Sequence, residues 1–178
     1  MRSIGTIVVL AVAGALAGPA AAADYSGKAQ ALAPLLKEIG YTHLLRFQPA
    51  KAPPAALATG YKEGVAAIYH KGTTKAPIEA VATIYVYATA AAAKLAWQHA
   101  CPTCTGHVVT QGVQMKFVGV TQAGVLTFTN VTTCRNIYVA VVTAGSESAS
   151  KLANDAGSIA GRTYVRAIHS GMSACTAK

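Results

Sequence analysis

Two segments of the chain share the same succession of apolar and polar residues. The first, IYVYATAAAAKLAWQHA, begins at Ile84, and the second, IYVAVVTAGSESASKLANDA, begins at Ile137. Each opens with β-branched and aromatic residues, which favour a strand, and continues into an alanine-rich stretch that carries the letters KLA. We interpret the pair as a duplicated strand–helix unit, with a chance similarity of two short patterns as the alternative.

The helix of the second copy has the clearer signal. Apolar residues such as Leu152 and Ile159 recur at the three- and four-residue spacing of a buried helical stripe. Ser146 is predicted to cap the N-terminus of this helix, and Gly161 is predicted to end it. The helix of the first copy is predicted over 90–100.

Runs of β-branched and aromatic residues predict the strands, and turn residues separate them. The predicted strands are 41–48, 64–72, 81–88, 113–120, 124–131, 136–142 and, after the second helix, TYVRAIH at 163–169. A short helix that ends at Gly40 precedes them, and the proline- and alanine-rich segment 49–60 is predicted as a loop. The sequence therefore predicts an α+β fold: one antiparallel or mixed sheet of six or seven strands with two helices on one face.

The N-terminal residues have the features of a secretory signal peptide. Arg2 precedes an apolar run over 7–16, and Ala21-Ala22-Ala23 fits the small-residue cleavage pattern. An uncleaved membrane anchor is the alternative, but a span needs about 20 apolar residues and this run is shorter. We expect residues 1–23 to be removed and 24–178 to form a single secreted domain, with no membrane span after cleavage.

The positive charge of the chain is dispersed. Fifteen Lys and Arg residues outnumber six Asp and Glu, for a net charge of +9, yet the basic residues stand singly along the sequence. Nucleic-acid binding uses basic residues clustered on one face or along one helix, so this pattern argues against a nucleic-acid partner. We attribute the charge to solubility and to weak adhesion at anionic envelope surfaces.

The motif CPTC raises three chemistries: a redox dithiol, a zinc site or a disulfide framework. The predicted helix precedes Cys101, which places the thiol at the negative helix end and disfavours the reactive thiolate. A zinc site is disfavoured because the other two cysteines form no second paired motif. We therefore interpret the cysteines as the two disulfides of an exported protein. They are Cys101, Cys104, Cys134 and Cys175.

The duplication suggests how these cysteines pair. If the two IYV strands are parallel neighbours, the start of the second strand lies beside the CPTC corner. Cys134 is then predicted to bond Cys104 or, as the alternative, Cys101. We prefer Cys104, which lies past the helix end, and Cys101 is then predicted to bond Cys175.

Few residues are candidates for other chemistry. His70 and His169 each end an apolar segment and are candidate ligand-binding residues, although a histidine at a strand end is commonly a surface residue. Asn130 begins an Asn-Val-Thr sequon and is a glycosylation candidate. Carboxylates are scarce and the five histidines scattered, so we predict no catalytic role, metal or cofactor.

The function that fits these features is that of an exported, non-catalytic domain that binds or senses an unidentified ligand or envelope component. A structural subunit of a cell-surface assembly, which would self-associate through strand edges, is the alternative. A thiol-disulfide or metal-binding role of CPTC is the third.

The leader pattern gives a first testable prediction. Secreted or envelope-associated protein is expected to begin at Asp24, because Ala23 completes the small-residue cleavage pattern. N-terminal sequencing measures this directly, and recovery of the intact chain in the membrane fraction would support the anchor instead.

Overall fold

Seven strands form one antiparallel sheet in the computed structural model, which describes residues 28–73, 76–110, 113–122 and 124–169. The predicted signal peptide and Cys175 lie outside these residues. The strands are β1 (His43–Pro49), β2 (Tyr61–Thr73), β3 (Ala76–Tyr87), β4 (Gly106–Thr110), β5 (Val113–Gln122), β6 (Val125–Cys134) and β7 (Ile137–Gly145). The helices are α1 (Lys28–Ala31), α2 (Leu36–Ile39), α3 (Ala90–His99) and α4 (Ala149–His169), with a 3-10 turn at Ala55–Leu57. The predicted α+β class is confirmed.

The strands lie in the order β1-β2-β3-β7-β6-β5-β4, and every neighbouring pair is antiparallel. The chain forms three strands, crosses through α3 to the far edge, and returns by three hairpins until β7 pairs with β3. The two IYV strands are therefore neighbours, with Ile84 opposite Val139. They are antiparallel, which corrects the parallel arrangement assumed above, because the three hairpins reverse the chain direction three times.

The two faces of the sheet are covered by different helices. We call them the α4 face and the α3 face. Val65, Val139 and Val141 point to the α4 face and pack in one core with Leu152 and Ile159 of α4. Alternate residues of β3 and β7, such as Tyr87 and Tyr138, pack with Trp97 of α3 in a second cluster. The expectation of two helices on one face is therefore wrong.

The segment 163–169, predicted as a strand, is the last part of α4. The apolar stripe of α4 continues past Gly161 to Tyr164 and Ala167, which are both buried. The Tyr164 hydroxyl lies 2.9 Å from Thr132 Oγ1. The seventh strand is instead β4, which was not predicted from the sequence, and Val108 and Val109 are exposed at this sheet edge. The edge-pairing alternative stays a prediction.

The predicted N-terminal helix is divided in two. α1 and α2 flank Pro34, whose carbonyl oxygen accepts a hydrogen bond of 3.0 Å from the Tyr69 hydroxyl. Gly40 ends α2 at φ 69°, a left-handed conformation that glycine adopts without strain, and its predicted role is confirmed.

No helix within the described ranges is long and apolar enough to cross a membrane.

The start of α4 provides a matched test. Ser148, not the predicted Ser146, precedes the first helical residue, and its hydroxyl accepts a hydrogen bond of 3.4 Å from the Lys151 amide. We expect Ser148→Ala to lower the free energy of unfolding by about 1 kcal/mol, because the Lys151 amide loses its side-chain acceptor and keeps only the Ser148 carbonyl oxygen, at 3.1 Å. Ser146→Ala is the control and is expected to change it by less than about 0.5 kcal/mol. Urea unfolding measures both, and equal losses would contradict the assignment of the cap.

Candidate functional site

α3 lies on the α3 face and is anchored by its tryptophan. Thr89 caps the helix by accepting a hydrogen bond of 3.2 Å from the Ala92 amide. Trp97 is buried, and its Nε1 donates to the Val131 carbonyl oxygen at 3.0 Å. Ala93 and Ala96 are buried beside Trp97, so the alanines let the helix approach the sheet closely. The position of α3 is therefore fixed over β6 and β7.

Tyrosines fix the loop that follows β1 beside this helix. The Tyr85 hydroxyl donates to the Lys51 carbonyl oxygen at 3.1 Å, and the Tyr87 hydroxyl donates to the Leu57 carbonyl oxygen at 3.0 Å. The Tyr85 ring lies over Gly64, where a Cβ atom would come within 2.7 Å of Cδ1 of that ring. The loop and α3 thus cover one end of the α3 face.

The remainder of the α3 face forms an exposed band that crosses five strands, which we call the open strip. Each of its residues pairs in register with a neighbour on the next strand. All are exposed or half-buried. They are Ile68 and His70 on β2, Glu79 and Val81 on β3, Val142 and Ala144 on β7, Thr127 and Thr129 on β6, and Val118 and Val120 on β5.

The contrast with the opposite face shows that the open strip lacks a cover among the described residues. On β2, β3, β6 and β7, the adjacent residues that point to the α4 face are buried, as Tyr69 and Val141 illustrate. On the open strip, Val142 is 37% exposed and Val120 is 52% exposed. A contiguous exposed patch of apolar side chains is typical of a binding surface.

A β-bulge brings basic side chains to one end of the open strip. The register of the β1–β2 ladder shifts by one residue between Leu44 and Arg46. Arg46 therefore pairs with Ile68, while His43 pairs with His70. Residues three apart in a regular strand point to opposite faces, but the extra residue places His43 and Arg46 on the same face. The rings of His43 and His70 lie 6.1 Å apart.

A pocket of about 240 Å³ opens at one side of the open strip. It is lined by Pro77, Glu79, Gly124, Val125, Ala144, Gly145 and Ser146. Its one charged lining residue is Glu79, whose carboxylate has no hydrogen bond or ion pair with the described residues.

The other carboxylates of the described residues serve the α4 face. Asp155 pairs with Lys71 at 2.6 Å, and Glu147 pairs with Lys151 at 2.7 Å. A further pair joins α2 to α4 at 3.4 Å between Glu38 and Arg166, and the Glu63 carboxylate accepts from the Ala29 amide at 3.0 Å. Negative charge is therefore concentrated on the α4 side of the sheet. Glu79 is the one carboxylate of the described residues that lies on the open strip.

The disulfide pairing differs from the predicted one. Cys101 bonds Cys104, with Cα atoms 5.3 Å apart. The predicted bonds of Cys104 to Cys134 and of Cys101 to Cys175 are therefore wrong, because the antiparallel arrangement of β3 and β7 removes their premise. Cys134 is also disulfide-bonded, and its partner lies outside the described residues.

A lysine offsets the negative end of α3 beside this disulfide. Lys116 Nζ donates to the Gln98 carbonyl oxygen at 2.9 Å and lies 4.5 Å from the centre of the Trp97 ring. This contact is not evident from the sequence, because Lys116 lies on β5, well beyond CPTC along the chain. Lys116 therefore stabilises the end of α3 rather than serving as a free surface charge.

The two candidate histidines are not brought together. His70 points to the α3 face, whereas His169 ends α4 on the opposite side of the sheet. Asn130 is 1% exposed, so the folded domain has no room for a glycan on its amide. Its Oδ1 finds no hydrogen-bond partner among the described residues.

Comparison with known proteins gives a likeness in structure but none in sequence family. No protein-family model matches the sequence, and no curated protein matches it. The chain is similar to the solved extracellular domain of PknH from Mycobacterium tuberculosis, with a TM-score of 0.45 and 15% sequence identity. The likeness covers 75% of this chain and 93% of that one.

The tyrosines beside the open strip are expected to make the folded domain less stable as the pH rises into the alkaline range. Burial, followed by the nearby Tyr85 and Tyr61, raises the pKa of Tyr87 from 10.0 to about 12. The unfolded chain therefore releases this proton first, so the stabilisation is complete below pH 10 and is lost as the pH rises towards 12. We expect Tyr87 to account for on the order of 1 kcal/mol of the stability lost between about pH 9 and pH 11.5, because water partly screens its part-buried hydroxyl.

The variant Tyr87→Phe tests this expectation. It loses the hydrogen bond to the Leu57 carbonyl oxygen, which lowers stability by about 1 kcal/mol at every pH below 10. Its stability is expected to fall less steeply in alkali than that of the wild type. Urea unfolding across the pH range measures both slopes, and identical slopes would show that Tyr87 does not contribute.

Proposed function

We propose that the chain is an exported, non-catalytic binding domain and that the open strip is its binding surface. The observation that carries this proposal is the uneven cover of the α3 face. α3 and the loop after β1 cover one end of this face, while five neighbouring strands beside them expose valine, isoleucine and threonine side chains.

Two features support a location outside the cytoplasm. The N-terminal sequence has the pattern of a cleavable leader, and Cys101 is bonded to Cys104. Disulfides persist in oxidising compartments and are rare in the cytosol. The proposed location is therefore the cell envelope or the medium.

The physical properties of the open strip favour binding over catalysis. Its floor consists mostly of aliphatic and threonine side chains, and its titratable members, His70 and Glu79, are half-buried and exposed rather than enclosed. General acid–base chemistry needs two groups whose protonation states are set apart by their surroundings. The four inner strands beneath the floor also form a rigid base, because β2, β3, β7 and β6 are each held by ladders on both sides.

An unbiased ligand search tests the proposal. The mature domain, labelled with ¹⁵N, is titrated with a detergent-free extract of the envelope of the cells that produce it. We expect amide signals of open-strip residues such as Val142 and Thr129 to shift, while those of the α4 face stay unchanged. Backbone amides report a contact at their own position, so the map of shifts locates the binding surface.

A matched pair of variants makes the result specific. Val142→Asp places a charge on the open strip, whereas Val165→Asp places the same charge on α4, and the two valines are exposed to almost the same degree, 37% and 38%. Val142→Asp is expected to abolish the amide shifts that the extract causes, and Val165→Asp is expected to leave them unchanged. Shifts that cluster elsewhere, or the absence of shifts, would contradict the proposal.

A further inference from the structure

We propose that the open strip binds a single-chain amphiphile with an anionic headgroup, such as a long-chain carboxylate. This inference rests on the proposed function and names its ligand class. The alkyl chain lies across the strands on the apolar floor, and the headgroup lies at the β1 end, beside Arg46 and His43.

The dimensions of the floor suit an extended chain. Ile68, Val81, Val142, Thr129 and Val118 occupy five adjacent strands in one continuous row. Four spacings of about 4.8 Å make this row about 19 Å long. The row therefore offers a narrow, mostly aliphatic track rather than a round pocket.

The chemistry of the floor favours an alkyl chain over a peptide. β2, β3, β7 and β6 are paired on both sides, so their backbone groups are used within the sheet, whereas β5 beyond Phe117 is paired with β6 alone among the described residues. A peptide laid on the floor would lose water from its own amides and would find few polar partners there, namely the hydroxyls of Thr127 and Thr129 and the side chains of His70 and Glu79. An alkyl chain has no polar group to desolvate, and burial of both apolar surfaces is favourable.

The charges at the two sides of the floor favour an anionic headgroup. Arg46 is exposed and has no ion-pair partner among the described residues. The β-bulge at the preceding residue turns its side chain to the open strip, next to the strand that carries His70. A guanidinium binds a carboxylate through two parallel hydrogen bonds. Glu79, opposite His70 in register, repels an anion from the middle of the track.

The height of the neighbouring elements favours a single molecule over a membrane surface. α3 lies against the same face beside the strip, and a helix with its side chains is about 10 Å thick. The loop after β1, held by Tyr85 and Tyr87, extends this wall towards β2. A flat bilayer surface would meet the wall before it reached Val81 and Val142, whereas one alkyl chain fits beside it.

Titration with soluble amphiphiles tests the inference. Dodecanoate, kept below its micelle concentration, is expected to bind and to shift the amide signals of Val142 and Thr129. Dodecyltrimethylammonium has the same chain with the opposite charge and is expected to bind at least about ten-fold more weakly. Acetate carries the headgroup alone and is expected to show no saturable binding.

Three variants test the placement of the headgroup. Arg46→Gln is expected to raise the dissociation constant of dodecanoate about ten-fold, because the charge-assisted hydrogen bonds are lost. Glu79→Gln is expected to lower it about two-fold, because a repulsive charge is removed. Arg162→Gln removes the same charge as the first variant from the exposed side of α4 and is the control, with no expected change. Thermal unfolding of each variant checks that the fold is retained.

Equal binding of the two amphiphiles, or an unchanged dissociation constant in Arg46→Gln, would overturn the inference. If the envelope extract shifts the open-strip signals and dodecanoate does not, the ligand class is wrong and the proposed function stands. If neither shifts them, both are wrong.

Discussion

The antiparallel pairing of β3 with β7 is the contact on which the rest of the structure depends. It joins the strands formed before α3 to those formed after it, from Ile78 opposite Gly145 to Val86 opposite Ile137. Because partners in register share a face, this pairing aligns the apolar positions of both halves. The same register that joins the core beneath α4 also makes the open strip continuous, since Val81 lies opposite Val142. A slip of one residue would destroy both surfaces.

The unequal lengths of two helices decide which surface is buried. α4 has 21 residues and α3 has 10, which correspond to about 32 Å and about 15 Å of helix. A strand of the sheet, such as β2 with 13 residues, is about 40 Å long, so α3 covers only part of its face. The anchors of α3, Trp97 and the capping Lys116, fix it at one end of the strands. The exposed strip is therefore a direct consequence of the length and the anchoring of α3.

Much of the fold could be predicted because local patterns determine it. The two helices, their preceding strands and the turn at Gly40 follow from apolar spacing and backbone preference. TYVRAIH was mistaken for a strand because its alternation is as good as its helical spacing, and only the continuous stripe from Leu152 to Tyr164 decides between them. The open strip could not be predicted, because its valines look the same in sequence as the buried valines on the other face. Arg46 was missed because a bulge, which the sequence does not mark, sets its direction.

The distribution of charge changes the interpretation of the basic composition. In sequence, the net charge of +9 is spread evenly, and solubility is a sufficient explanation. In the fold, Lys71, Lys151 and Arg166 are each neutralised by a carboxylate on the α4 side. Other basic residues, such as Lys62, Lys94 and Arg162, are exposed and also have no ion pair with the described residues, so what distinguishes Arg46 is its position beside the apolar residues of the open strip. Arg46 lies at a bulge beside the exposed apolar row of the open strip, so the surface combines a positive charge with aliphatic side chains. A ligand that uses both must itself combine an anionic group with a hydrocarbon chain.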